Sequence, residues 1–207
     1  MEIEFKYKID NPQIAEKIIS DPDIVAITDD NSDETIDLHA IYFDTAERRL
    51  SREGITFRTR KEGANYVATV KWNGASENGL HEREEINVPM GVDSGRFETP
   101  DIDLFAQSPM CDRLKEIIGA RKLIKRVEVK VQRRQIRIDT GKSICEISYD
   151  SGIVINGDKE GIISEMEVEL YSGSREDMEA FGEMLTSKFN LVPENRSKFK
   201  QGLELQL

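Results

Sequence analysis

Cysteine and histidine are scarce in this chain. Two cysteines in 207 residues, Cys111 and Cys145, are too few and too far apart for a disulfide framework or a zinc site. The two histidines, His39 and His81, match no metal-ligand spacing. No apolar stretch approaches membrane length, and none opens the chain. Neither a spanning helix nor a signal peptide is expected, so the reading is a cytoplasmic protein with no membrane partner. Base is the minority charge, 29 residues against 40 acidic ones, for a net −11. That excess argues against nucleic acid as the main partner. It leaves room for a small anionic ligand, because a local basic pocket can dominate its own field.

What the chain has is alternation. Glu2 to Ile9 place Ile3, Phe5, Tyr7 and Ile9 on one face and Glu2, Glu4, Lys6 and Lys8 on the other, the period of a β-strand. Two acids followed by two bases on one face could hold a divalent metal beside an anion, or could be the solvated side of an ordinary amphipathic strand. The pattern recurs. Arg58 and Arg60 share a face, as do His81, Arg83 and Glu85. Glu146, Ser148 and Asp150 share another, and Glu165, Glu167 and Glu169 alternate with Met166, Val168 and Leu170. Lys71 lies on a face with Thr69, and Lys198 shares one with Lys200.

Strands are predicted at 36–43, 55–61, 66–72, 80–89, 122–138, 143–149, 153–156, 163–171 and 198–207, with a hairpin across Glu62 to Asn65 and a polar loop from Asn73 to Gly79. Helices are predicted from Pro12 to Ile19, from Ser108 to Gly119, and after Ser174, where Asp177 completes a pattern resembling a capping box. The length suits a single domain over residues 1–207. The Gly/Pro/Asp-rich stretch at 90–108 is the one candidate boundary, and it would separate two pseudo-equivalent halves. The predicted class is α+β, an antiparallel barrel with helices packed outside.

Like charges in a row on one strand face repel. A row of acids becomes favourable around a hard divalent cation, and paired arginines become favourable around a polyphosphate. An economical arrangement turns the charged faces inward, with a basic wall for phosphate and an acidic wall for metal.

These pieces resemble the CYTH superfamily, the triphosphate tunnel metalloenzymes, and most closely its bacterial inorganic triphosphatase branch. Glu2-x-Glu4-x-Lys6 resembles the family's N-terminal signature, Tyr42-Phe43-Asp44-Thr45 its YYDT segment, and Leu50 to Arg60, with Gly54, Arg58 and Arg60, its next stretch. Thr69-Val70-Lys71 and Gly79 to Glu85 follow in order, then Glu146-x-x-x-Asp150-x-Gly152, Glu165-x-Glu167-x-Glu169-Leu170 and Ser197-Lys198. The resemblance implies an eight-stranded antiparallel tunnel that hydrolyses inorganic triphosphate with Mg²⁺ or Mn²⁺. It implies phosphate contacts from Lys6, Arg58, Arg60, Lys71, Arg83, Arg133 and Lys198, with Arg134 or Arg137 able to substitute for Arg133. It implies metal ligation by Glu2, Glu4, Glu165 and Glu167 with Glu169 and Asp150 nearby, support from Glu85 and Glu146, and a catalytic role for Lys6 or Lys8. Many relatives carry a C-terminal CHAD domain, which this sequence does not include. Class IV adenylyl cyclase, thiamine triphosphatase and a non-catalytic polyphosphate or nucleotide binder stand as alternatives. No aromatic cluster falls among the charged-face positions to stack an adenine, so triphosphate is expected to be preferred over ATP.

Overall fold

The alternating segments pair until no free edge is left. The structure is a computed structural model that describes residues 1–92 and 94–206. Its strands are β1 (Glu2–Lys8), β2 (Glu34–Thr45), β3 (Thr56–Glu62), β4 (Asn65–Glu77), β5 (Leu80–Gly91), β6 (Leu123–Asp139), β7 (Ser143–Asn156) and β8 (Lys159–Gly173). They run in the order β5-β4-β3-β2-β6-β7-β8-β1, and β1 pairs back onto β5 to close an antiparallel barrel. Closure removes the exposed edges that an open sheet would have to protect. The stretch at 90–108 separates no halves: β2 pairs with β6 along its whole length, from Glu34↔Gln135 to Thr45↔Leu123.

Among the described residues the α-helices are α1 (Pro12–Ile19), α2 (Pro22–Val25), α3 (Arg49–Arg52), α4 (Met110–Ile118), α5 (Arg175–Phe189) and α6 (Lys198–Glu204). α1 and α5 cover an outer core of Phe5, Tyr7, Ile147, Met166 and Val168. α3 and α4 cover a second outer core around Phe43, Phe57, Val70 and Leu114. Side-chain caps start these helices where the sequence suggests: Asn11 accepts from the Gln13 amide, and Ser174 accepts from the Asp177 amide at 3.2 Å. Buried Asp44 accepts from the amides of Thr45, Leu50 and Ser51 at 2.7, 2.9 and 3.0 Å. The aspartate of the Tyr42–Thr45 motif is therefore a turn-builder that anchors α3.

The structure adds the short helices α2 and α3, which the sequence reading does not predict, and departs from it in three further elements. Residues 73–77 continue β4 past an irregularity between Trp72 and Ala75. The two segments predicted within 143–156 form one strand. The C-terminal segment is helix α6 instead of a strand, started by Ser197, whose hydroxyl accepts from the Lys200 amide at 3.2 Å. α6 differs from the other helices in packing on inward-facing residues. Phe199, Leu203 and Leu205 meet Tyr42, Val127, Val129, Val154 and Ile163, so the helix plugs one end of the barrel. Gly202 allows this approach, since a Cβ there would lie 2.4 Å from the Val127 side chain. The other close approach that fixes the site is at Gly79 (φ +82°), where a Cβ would lie 2.7 Å from the Lys6 carbonyl. Gly79 accepts from the Lys6 amide at 2.8 Å, and this contact ties β1 to the start of β5.

Candidate active site

Cross-strand register turns the charged faces into one chamber. Glu4 pairs with Glu169 and Lys6 with Glu167. Glu146 pairs with Glu169, and Arg133 with Asp150. Glu2 pairs with Arg83, and Lys71 with Glu85. The chamber has a volume of about 390 Å³ and is lined by Glu2, Glu4, Lys6, Arg58, Arg60, Lys71, Arg83, Glu85, Arg133, Glu146, Asp150, Glu167, Glu169 and Lys198. Glu165 lies at its closed end, with one carboxylate oxygen toward Lys6 and Lys198 and the other accepting from Gln201 of α6 at 2.9 Å.

Acids and bases are interleaved instead of being sorted onto two walls. At the closed end, Lys6 donates to Glu165 at 2.9 Å and Glu167 at 2.5 Å. Arg133 grips Asp150 through two bonds of 2.7 Å and reaches Glu167 at 2.7 Å. Lys198 contacts Asp150, Glu165 and Glu167 at 2.7, 2.5 and 2.9 Å. Burial would push the Glu167 carboxyl up, but Lys198, Lys6 and Arg133 hold it well below the usual carboxylate range. Asp150 is held at about 2 against burial by Arg133 and Lys198. Burial disfavours the Lys6 ammonium, yet Glu165 and Glu167 raise its pKa above the ordinary lysine value, so Lys6 is a fixed positive charge at neutral pH.

Toward the open end the balance changes. Lys71 bonds to Glu2 and lies 3.0 Å from Glu85. Arg83 lies 2.7 Å from Glu4 and 3.3 Å from Glu2. Glu169 joins Glu2 and Glu4, with oxygens of all three within 4.8 Å of one another. Among the described residues no hydrogen bond or ion pair reaches the Glu169 side chain, and one buried oxygen of Glu2 accepts no hydrogen bond, with the Arg83 guanidinium 3.3 Å from it. Burial, with the nearby charges of Glu2 and Glu4, pushes the Glu169 carboxyl up to about 8. Asp150, Glu165 and Glu167 also lie within 4.8 Å of one another, but that trio already holds three cations.

Lys8 is not part of the chamber. It stands at the end of β1, half exposed, and pairs with Asp10 at 2.7 Å; its parity matches Lys6, but the strand runs out beyond the closed end. Of the three candidate arginines on β6, Arg133 points into the chamber, whereas Arg134 turns outward to Asp33 and Glu16 at 2.7 and 2.5 Å. Arg137 continues the inner face at the rim, opposite Glu146. His81 donates to or accepts from no catalytic group; its Nε2 meets the Glu194 carbonyl at 2.8 Å and fastens the segment leading to Lys198. Lys200 is exposed and away from Lys198's partners.

Sequence reasoning missed an apolar side of the chamber. Ile36, Leu38, Ala40, Val129 and Val131 line it, together with Tyr42 and Phe199, whose rings stack at 5.1 Å. Tyr42 could have been found from the two-residue period it shares with Ile36, Leu38 and Ala40. Phe199 was hidden by the strand reading of the C-terminal segment. The expectation of no inward aromatics is thus corrected, and Tyr171 lines the chamber as well, under the Arg137 guanidinium; the Tyr42 and Phe199 rings offer no free face for a base. Tyr42 is covered by Phe199 and by Arg58, whose guanidinium lies 6.0 Å from the ring centre and donates to the phenol oxygen at 3.3 Å.

A family profile for the CYTH domain matches residues 1–202. An inorganic triphosphatase of Haemophilus influenzae is 29% identical over 202 residues, 97% of this chain and 54% of that protein. The chain therefore spans about half the length of that relative. Among solved structures, a Hippeastrum candidate adenylyl cyclase described as having a dominant triphosphatase activity superposes with a TM-score of 0.72 at 18% identity, covering 99% of this chain and 96% of that one. A Pyrococcus horikoshii protein does so at 0.61 and 19% identity, covering 99% of each chain. At these identities the structural matches speak for the fold.

Proposed function

The chain belongs to the CYTH domain family, and from that premise we propose that it hydrolyses inorganic triphosphate to pyrophosphate and phosphate with Mg²⁺ or Mn²⁺. The observation that carries this reading is the convergence of Lys6, Arg58, Arg60, Lys71, Arg83, Arg133 and Lys198 on one chamber that also holds an acidic trio short of counter-charge. Glu2, Glu4 and Glu169 fit a hard divalent cation. They offer only oxygen donors, one buried Glu2 oxygen accepts no hydrogen bond, and among the described residues Glu169 has no basic neighbour in contact. A cation held there would supply charge neutralisation at the phosphate oxygens during transfer.

The chain's own groups supply the rest. Arg58 is half-buried, with its Nε unpartnered and, among the described residues, Tyr42 as its one acceptor, which leaves most of the guanidinium for phosphate oxygens. Lys6, Arg133 and Lys198 are pre-aimed by Asp150, Glu165 and Glu167, so little reorganisation accompanies binding. Water attack at a terminal phosphorus breaks its bond to the bridging oxygen, and these fixed cations stabilise the charge that moves onto the leaving pyrophosphate. Lys6 acts through charge, since its raised pKa keeps it protonated. The apolar side excludes water from the chamber and strengthens each of these interactions.

The test is phosphate release from triphosphate, pyrophosphate, ATP, thiamine triphosphate and longer polyphosphate, each with Mg²⁺ and Mn²⁺. Triphosphate should give the highest kcat/KM, and EDTA should stop turnover. Release of inorganic phosphate from none of the five, with tight binding of triphosphate, would make the protein a binder. A tenfold preference for ATP or thiamine triphosphate would move the reading to an organic substrate.

A further inference from the structure

The two ends of the chamber are built differently. At one end α6 and the contacts among Lys6, Lys198, Asp150, Glu165 and Gln201 shut the barrel with buried groups. Along β8 the inner face then runs Glu165, Glu167, Glu169 and Tyr171, and Tyr171 is 47% exposed. Along β6 it runs Arg133, Gln135 and Arg137, and Arg137 is exposed as well. A linear anion seated against the closed end can project only past this rim.

The rim has a cation of unusual standing. Lys6, Arg60, Lys71, Arg83, Arg133 and Lys198 each contact a carboxylate. No ion pair engages the Arg137 guanidinium among the described residues; it lies over the Tyr171 ring, 5.2 Å from its centre. The ring is fixed in turn by its hydroxyl, which donates to Glu146 at 2.8 Å. Glu146 is buried beneath the pair and lines the chamber. A stacked guanidinium keeps its edge donors free. β6 rises about 3.3 Å per residue, so Arg137 stands about 13 Å beyond Arg133 along the strand.

We infer that Arg137, held on Tyr171, is a subsite for the phosphate beyond the third, so that the protein takes linear polyphosphates by one end and contacts tetraphosphate more extensively than triphosphate. This rests on the proposed triphosphatase reading for the inner part of the chamber. Glu34, Glu62, Glu146 and Glu169 are acids near the rim; Gln135, Arg60 and the Tyr171 hydroxyl engage the first three before any ligand arrives, and Glu169 lies deeper on β8.

The experiment compares linear tetraphosphate with triphosphate in wild type, Arg137→Gln and Tyr171→Leu. Both equilibrium binding by calorimetry and kcat/KM with Mg²⁺ are read. Arg137→Gln should lower tetraphosphate affinity and kcat/KM by about tenfold, the size of one charge-assisted contact, while triphosphate changes less than twofold. Tyr171→Leu keeps the charge but removes its support, and should give a smaller loss on tetraphosphate alone. Equal losses on both anions, or none on either, would overturn the subsite. If wild type turns over neither anion, the hydrolysis reading fails, and the binding ratio still decides the subsite: a selective loss in Arg137→Gln upholds it and an unselective result removes it.

Discussion

Two acidic trios lie close together in one barrel, each drawing on β8, the first with β7 and the second with β1, and they are electrostatically opposite. Asp150, Glu165 and Glu167 face Lys6, Arg133 and Lys198, one cation for each carboxylate, with contacts of 2.5 to 2.9 Å. Glu2, Glu4 and Glu169 have Lys71 and Arg83 between them, with Lys6 at 3.9 Å from Glu4, and Glu169 touches none of the three. The consequence is visible in protonation: Asp150 is held at about 2 and Glu169 is pushed to about 8. The composition of an acidic cluster therefore does not say what it does. The cations that register brings to it decide whether its charge is matched or left short of compensation.

The comparison breaks most visibly in Glu4→Gln. That change removes a hard oxygen charge from the trio with least compensation, and turnover should fall by at least about a hundredfold, with partial recovery at high Mg²⁺ because ligand loss weakens metal affinity. Glu167→Gln should also cost activity, but through the aim of Lys6, Arg133 and Lys198, and extra Mg²⁺ should not restore it. Metal titrations of both variants decide the matter. The same apparent metal affinity in the two would erase the distinction drawn here.

Lys198→Met tests the paired trio from the other side. Lys198 is half-buried and contacts three buried carboxylates. Removing it leaves buried charge undercompensated, a loss of about 3 kcal/mol in denaturant unfolding. The triphosphate KM should rise as well. Lys71→Met, beside a trio that already tolerates a shortage of cations, should destabilise less. Equal stability losses would mean that the two trios are equally dependent on their bases.

The pH response sharpens the contrast further. The Glu169 carboxyl titrates near 8 in the fold against 4.5 ordinarily. Between those values the native state holds a proton that the unfolded chain has released, so metal-free stability should fall as pH rises through that window and level off above it. Glu169→Gln should flatten this slope. For Asp150 and Glu167 the folded pKa is lowered, so their contribution is present above the ordinary carboxylate range and is lost as pH falls toward 2. Thermal melts of wild type and Glu169→Gln from pH 5 to 9 with EDTA measure the difference; parallel curves would remove Glu169 as the source.

Much of this was legible in the chain because alternation reports which face a residue takes. Glu2, Glu4, Lys6, Arg58, Arg60 and Glu165 to Glu169 could be assigned to one interior before any pairing was known. Alternation does not report where a strand stops relative to the barrel, which is why Lys8 was grouped with Lys6 and lies outside. It also misleads over short spans. Lys198-Phe199-Lys200 alternates, yet Ser197 caps it into a helix, so Lys198 enters the chamber from a plug and not from a wall. Pairing of charge was not legible at all. That Glu167 meets three cations while Glu169 meets none follows from register and from α6, neither of which leaves a local mark in the sequence.

Tyr42→Phe probes the cation that stands apart from both trios, and its effect should be the smallest. Arg58 is half-buried and forms no ion pair among the described residues; Tyr42 is its one hydrogen-bond acceptor there, at 3.3 Å, and its Nε is already unpartnered. Burial alone would push the phenol up, but Arg58, Lys198 and Lys71 bring it below its ordinary value, so the oxygen is a good acceptor in this field. Removing it while keeping the ring preserves the stack on Phe199 and the apolar wall. It withdraws one bond of about 1 kcal/mol that aims the guanidinium. The triphosphate KM should rise about fivefold with kcat within twofold, because Arg58 can still reach phosphate once substrate is bound. A fall in kcat with KM unchanged would mean that Tyr42 acts on the reacting phosphate itself, and not through Arg58.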